Sequence, residues 1–333
     1  MKRAIETREA IAVVSSGVRL QGTYHRPARP ATEEKRRVGV LFPNSGVLPR
    51  AAGGDAAVYW ADWLAASGYP SFRFDLPGLG DSDRDPAAEG IDFQAHADAG
   101  GYAPWLAAIA SDLVERFNLA GVIVVGHCSG AVTALFAAAA TRRIAGLILL
   151  DPYFHVQQDS EVQTALNNWN KRVFRSLDGG WAARLKLREA GVKVLSGLRK
   201  IYHRLNGNRL LVRRKKLPGS ANLPLIRCWN QLASAGVPML ILRSPSYAPK
   251  AGGFDYIDYL QRRSPRGSRM SLEPVEGASH AFAERQSREA VGKCTERWLQ
   301  ACFPIPKCTG VQDSEPQAAE LANAILGTDR NVR

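Results

Sequence analysis

The sequence predicts an α/β protein with a mostly parallel central sheet flanked by helices. Three features point there. From Arg37 onward, short continuous apolar runs read as strands buried on both faces; stretches of helical periodicity separate them; and an antiparallel hairpin signal precedes the series.

The hairpin comprises the alternating runs Ile11–Ser15 and Val18–Tyr24 around Ser16-Gly17. The series then runs through strand Val38–Phe42, a helix near Ala57–Ser67, strand Ser71–Phe74, a helix near Tyr102–Phe117 and strand Val122–Val125. A helix over Ala131–Ala140, strands Gly146–Leu150, Pro238–Leu242 and Met270–Pro274, and a last helix near Arg285–Cys302 complete it.

The gap between Leu150 and Pro238 is far longer than an ordinary crossover, which predicts a helical cap insertion. The expected organisation is therefore a core of residues 1–152 and 237–303, an insertion over 153–236, and a polar tail over 304–333 with a short helix near Pro316–Ile325. Within the insertion, Leu187, Ala190, Val194, Leu198, Ile201 and Leu205 form a helical apolar stripe, with Arg184, Arg188, Arg199 and Arg204 off it.

With 333 residues, 45% of them hydrophobic, the chain can bury a large core, which excludes a mainly disordered or fibrous protein. The five cysteines are odd in number and lack C-x-x-C spacing, so a reducing compartment is expected. Met1–Glu9 has no apolar h-region, which leaves the cytoplasm as the expected location. Leu119–Thr141 is long and uncharged enough to pass for a membrane span, but Gly126, Gly130 and the polar residues between them make it strand, turn and helix.

Net charge is +13 and uneven. Residues 171–216 hold fifteen Lys or Arg against Asp178 and Glu189, so the rest of the chain is close to neutral. Such a field concentrates anionic ligands: a coenzyme A or carrier-protein thioester, an acidic glycan or an anionic membrane surface would suit. A solvated basic helix with no specific role is the plainer alternative. Nucleic-acid recognition motifs are not apparent in the sequence.

The chemistry centres on Gly126-His127-Cys128-Ser129-Gly130, between a β-branched strand and an Ala-rich helix. A nucleophile displayed on such a strand-to-helix turn needs small residues two positions to either side, here Gly126 and Gly130. The adjoining helix N-terminus favours the anionic sulfur that attacks. Ser129 is the rival nucleophile, but centring the turn on it would put His127 at a small position. An inert buried thiol is the structural alternative for Cys128.

His280 follows the last strand in the loop Glu276–Phe282 and is the expected base. Two acids compete to orient it: Asp255, well beyond the Pro238–Leu242 strand, and Asp151, directly after Leu150. Either could instead cap a helix. For the oxyanion, one donor is the backbone N–H of Ser129 and the other that of Gly46 or Val47, in the loop after Val38–Phe42.

These residues resemble the α/β-hydrolases over roughly residues 10–303, the cap apart, and the cysteine-centred turn is similar to that of dienelactone hydrolases. Asn44-Ser45-Gly46 with Arg50, Arg73–Ser82 and Gly126–Ala131 together resemble a bacterial subgroup that includes hydrolases associated with exosortase and exopolysaccharide systems. The resemblance implies an α/β-hydrolase fold and ester or thioester hydrolysis through a Cys-His-Asp triad, with no metal or organic cofactor. Acyl transfer through the same Cys128 acyl-enzyme is the alternative, and a noncatalytic protein binding an anionic partner through its basic cap is a second. The departure is at Arg243-Ser244-Pro245-Ser246-Tyr247, which lacks the Gly-Asp that usually supplies the acid.

Overall fold

Strands made of Val, Ile and Leu on both faces require cover on both sides, and the computed structural model has that form. It describes residues 7–28, 37–84, 92–156, 217–245 and 254–305. Eight strands form one sheet: β1 (Arg8–Ser15), β2 (Val18–His25), β3 (Val38–Phe42), β4 (Ser71–Phe74), β5 (Gly121–His127), β6 (Ile144–Leu150), β7 (Met239–Arg243) and β8 (Met270–Pro274). Their order is β1-β2-β4-β3-β5-β6-β7-β8, antiparallel through β1, β2 and β4 and parallel from β4 to β8. Ser16 and Gly17, both at positive φ, turn the β1–β2 hairpin in the sense that matches strand twist.

Side chains alternate along the central strands and so build two cores. Leu41, Val122, Val124, Leu147, Leu149, Met239 and Ile241 face one way. They meet helices α3 (Ala103–Arg116), α4 (Ser129–Ala140) and α5 (Leu223–Ala235), through residues such as Leu106, Phe136 and Trp229. Val40, Phe42, Ile123, Val125, Ile148, Leu150, Leu240 and Leu242 face the other way. Their cover is α1 (Ala56–Ala66) and α7 (Arg285–Cys302), through Trp60, Leu64, Trp298 and Leu299. Two short helices, α2 (Phe93–Asp98) and α6 (Tyr256–Gln261), and a 3-10 turn at Gly53–Asp55 complete the described elements.

The strand, turn and helix expected over Leu119–Thr141 are β5 and α4, and no helix among the described residues is long and apolar enough to cross a membrane. Of the expected insertion over 153–236, residues 157–216 lie outside the described residues, and with them the basic helix and the +13 segment. The last part of that range is α5, which packs its Leu225, Trp229 and Leu232 into the core as part of the sheet's cover. The tail beyond Ile305, with Cys308 and the expected helix near 316–325, is likewise outside.

Candidate active site

Loops leaving the C-terminal ends of β3, β5, β6, β7 and β8 converge, which is where open parallel sheets place their ligands. At the end of β5, Cys128 adopts φ 55° and ψ −118°, a region that side-chain-bearing residues rarely occupy. The turn is tied on both sides: Cys128 N–H donates to the Leu150 carbonyl (3.1 Å), and its own carbonyl accepts from Ala131 N–H (3.0 Å) at the start of α4.

The two glycines are sterically required. A Cβ on Gly126 would lie 2.5 Å from the Gly130 carbonyl oxygen, and one on Gly130 would lie 2.4 Å from the Asn44 carbonyl oxygen. Neither position has room for a methyl group.

Cys128 is partly exposed, whereas Cys228 is buried in α5 and pushed up to about 12 by that burial. Cys294 and Cys302 lie on α7, away from these loops. Opposite Cys128, His280 directs Nδ1 to Asp151 Oδ2 at 2.9 Å. That bond, together with a hydrogen bond to the Cys128 side chain, pushes His280 up to about 9. With Nδ1 committed to Asp151, the nitrogen left for the sulfur is Nε2.

Asp151 is fully buried at positive φ and accepts from Ser244 at both oxygens: N–H to Oδ1 at 2.8 Å and Oγ–H to Oδ2 at 2.6 Å. Asp255 is elsewhere engaged. Its Oδ2 pairs with Arg243 at 2.7 Å, and its Oδ1 accepts from Asp258 N–H at 3.0 Å as the N-cap of α6. Of the two acids left open by the sequence, the fold brings Asp151 to His280. Asp255 has the cap geometry instead.

In the loop after β3, the Gly46 N–H donates to Ser129 Oγ at 3.0 Å, so this donor is engaged, while Val47 is well exposed. Ser129 is the first residue of α4, and its side chain ties the two loops together rather than facing outward. From behind, the loop is held by the buried Asp75 at the end of β4. Asp75 Oδ1 accepts from Asn44 Nδ2 (2.8 Å) and Arg50 N–H (2.7 Å), and Oδ2 from Asp81 N–H (3.1 Å) and the Arg50 guanidinium. Gly80 passes so close that any Cβ there would collide with this carboxylate.

Two contributors were missed in the sequence. Ser244 sits in the very segment that lacks the usual Gly-Asp, and His127 bonds to Ser45 and to the His280 backbone. Among the described residues, no three His, Cys, Asp or Glu side chains come together as a metal-binding group.

Comparison with known proteins accords with this layout. Residues 40–292 match the profile of the "Alpha/beta hydrolase family". No curated protein matches the chain in sequence. Solved structures do match in fold. DcsB in complex with its substrate analogue has a TM-score of 0.53 at 13% identity, covering 90% of this chain and 100% of that one. The Pyrococcus furiosus esterase Pf2001 has a TM-score of 0.52 at 13% identity, covering 88% and 92%. The haloalkane dehalogenase DatA from Agrobacterium tumefaciens C58 has a TM-score of 0.51 at 15% identity, covering 89% and 97%. At such identities the likeness is one of fold, and the fold serves both the esterase and the dehalogenase. With more than half its length matched by the family profile, the chain belongs to the α/β-hydrolase family.

Proposed function

We propose that the protein hydrolyses a small-molecule ester or thioester through Cys128 as nucleophile, His280 as base and Asp151 as the carboxylate that orients it. One observation carries this reading: a partly exposed thiol, displayed at positive φ, helps raise a histidine whose Nδ1 sits on a buried carboxylate. That is the arrangement nucleophilic acyl chemistry needs.

The proton passes from Cys128 Sγ to His280 Nε2, and the sulfur bonds the carbonyl carbon as the C=O electron pair moves onto oxygen. Backbone N–H groups at Ser129 and at Val47 are proposed to hold that oxyanion, since Gly46 N–H is already bonded to Ser129 Oγ. Collapse breaks the bond to the alcohol or thiol, which leaves with the proton from His280. Water then attacks the Cys128 thioester, giving its proton to His280, and the second collapse releases the acid and returns the thiol. The esterase named among the fold neighbours supports this class of substrate. An amine or alcohol in place of that water gives acyl transfer, and a carrier-protein or coenzyme A thioester is a proposed substrate for the basic segment 171–216. The unpaired pattern of the cysteines supports a reducing compartment, and the cytoplasm is the location proposed with it.

The test combines iodoacetamide labelling with turnover of p-nitrophenyl esters and acyl thioesters. Cys128 is expected to alkylate faster than the other cysteines, and Cys128→Ala to lose at least ~10³-fold in turnover. Labelling of Cys128 at the rate of the other cysteines, with turnover intact in Cys128→Ala, would falsify the mechanism.

A further inference from the structure

His127 has no part in the chemistry just described, yet both of its ring nitrogens are bonded within the site. It is the last residue of β5, directly before Cys128. Nε2 lies 2.7 Å from the His280 carbonyl oxygen, and Nδ1 lies 2.6 Å from Ser45 Oγ. A carbonyl only accepts, so Nε2 carries a proton. Burial and the neighbouring His280 push His127 down to about 4, which leaves the ring neutral with that one proton. Nδ1 is then an acceptor, and Ser45 Oγ–H must donate to it. Each hydrogen position on this chain therefore follows from the one before.

The chain links two loops that are otherwise separate in sequence. Ser45 immediately precedes Gly46, whose N–H bonds Ser129, and the His280 carbonyl belongs to the residue whose ring reaches Asp151. The His127 ring lies 5.0 Å from that of His280 and edge-on, at 5.6 Å, to the fully buried Phe282. A side chain fixed on both nitrogens and packed against an immobile aromatic is suited to hold geometry.

We propose that His127 is a positioning residue: it holds the backbone of His280 and the Ser45-Gly46 segment at fixed distances on either side of Cys128, so that base and oxyanion loop keep one mutual geometry. The inference rests on the roles proposed above for Cys128 and His280. It also gives a physical reason for a histidine at the second position of the Gly126–Gly130 turn.

The two bonds can be cut separately. In His127→Asn the amide oxygen stands near Nδ1 and keeps the Ser45 bond, but nothing reaches the His280 carbonyl. In His127→Gln the amide nitrogen stands near Nε2 and keeps the His280 bond, but Ser45 loses its acceptor. Ser45→Ala cuts that same bond with the imidazole in place. Alkylation of Cys128 by iodoacetamide needs the base but no oxyanion loop, whereas p-nitrophenyl acetate turnover needs both.

The expected pattern is asymmetric. His127→Asn slows alkylation and turnover together, each about 10-fold or more, because small misplacements of a catalytic group are costly in rate. His127→Gln and Ser45→Ala alkylate at the wild-type rate but lose about 10-fold in kcat with KM little changed. The proposal is overturned if all three variants, scored per folded molecule, alkylate and turn over like wild type, or if the three lose both rates equally. Should His127→Asn not fold, the other two still decide it: slowed alkylation in both overturns it. Failure of the underlying reading looks different, since wild-type Cys128 would then show no excess reactivity to lose.

Discussion

Asp75 and Asp151 are both fully buried carboxylates directly after the C-terminal ends of strands, β4 and β6, and they are held differently. Asp75 takes two donors on each oxygen, among them the Arg50 guanidinium, and every partner belongs to a loop that it fixes in place. Asp151 takes both donors of Ser244 and keeps room on Oδ2 for the imidazole of His280, which is itself about half exposed. The difference separates a carboxylate that anchors backbone from one that steers a ring able to exchange protons. Burial alone does not distinguish them. What each oxygen accepts from does.

The sharpest way to break the comparison is Asp151→Asn. Ser244 N–H holds the amide oxygen at the Oδ1 position, so the NH2 group faces His280 Nδ1, which can then only accept. The imidazole must carry its proton on Nε2 and has no acceptor left for the thiol. Turnover is expected to fall about 10²–10⁴-fold with little change in melting temperature. The pH profile carries the sign. Asp151 is the first cause of the raised His280 value, about 9, so its loss lowers that value toward the ordinary histidine range. The limb of kcat/KM governed by His280 should move to lower pH in the residual activity.

Asp75→Asn should show the reverse emphasis. It leaves Arg50 without its buried partner and gives Asn44 a donor where it needs an acceptor, at a cost of about 3 kcal/mol in chemical denaturation. Turnover falls as well, because the loop carrying Ser45 and Gly46 loosens. A denaturation midpoint unchanged from wild type would remove Asp75 from this role.

Asp255→Asn, the smallest change, tests the other acid suggested by the sequence. Only an N-cap and a partly exposed ion pair are altered, so the expected loss is about 1 kcal/mol or less, with turnover intact. A loss of activity comparable to that of Asp151→Asn would reverse the assignment of the acid.

Much of the fold was legible because it depends on short-range pattern. The two-sided strands, the glycine spacing around Cys128 and the helix from Arg285 need only local periodicity and the known geometry of a strand-to-helix turn. Helix α5 was missed although its signals are present: Asn222 caps it, Pro224 sits in its first turn, and Gly236 ends it at positive φ. It was absorbed into the long gap after Leu150. The acid was not legible, because Asp151 and Asp255 both follow parallel strands at possible cap positions. Choosing between them needs the neighbour relation of β6 and β7, which puts Ser244 beside Asp151. The role of His127 was illegible for the same reason, since both of its partners lie far along the chain, at Ser45 and His280.

The backbone twist at Cys128 gives the chain a built-in reporter of its own folding. That conformation exists only while β5, β6 and α4 are docked together, and so does the nearness of His280. An unfolded chain offers an ordinary thiol. On the proposed role, denaturant should therefore slow alkylation of Cys128 as the native population falls, while the same transition accelerates alkylation of Cys228, which native packing shields. Two cysteines in one molecule would then read a single unfolding event with opposite signs.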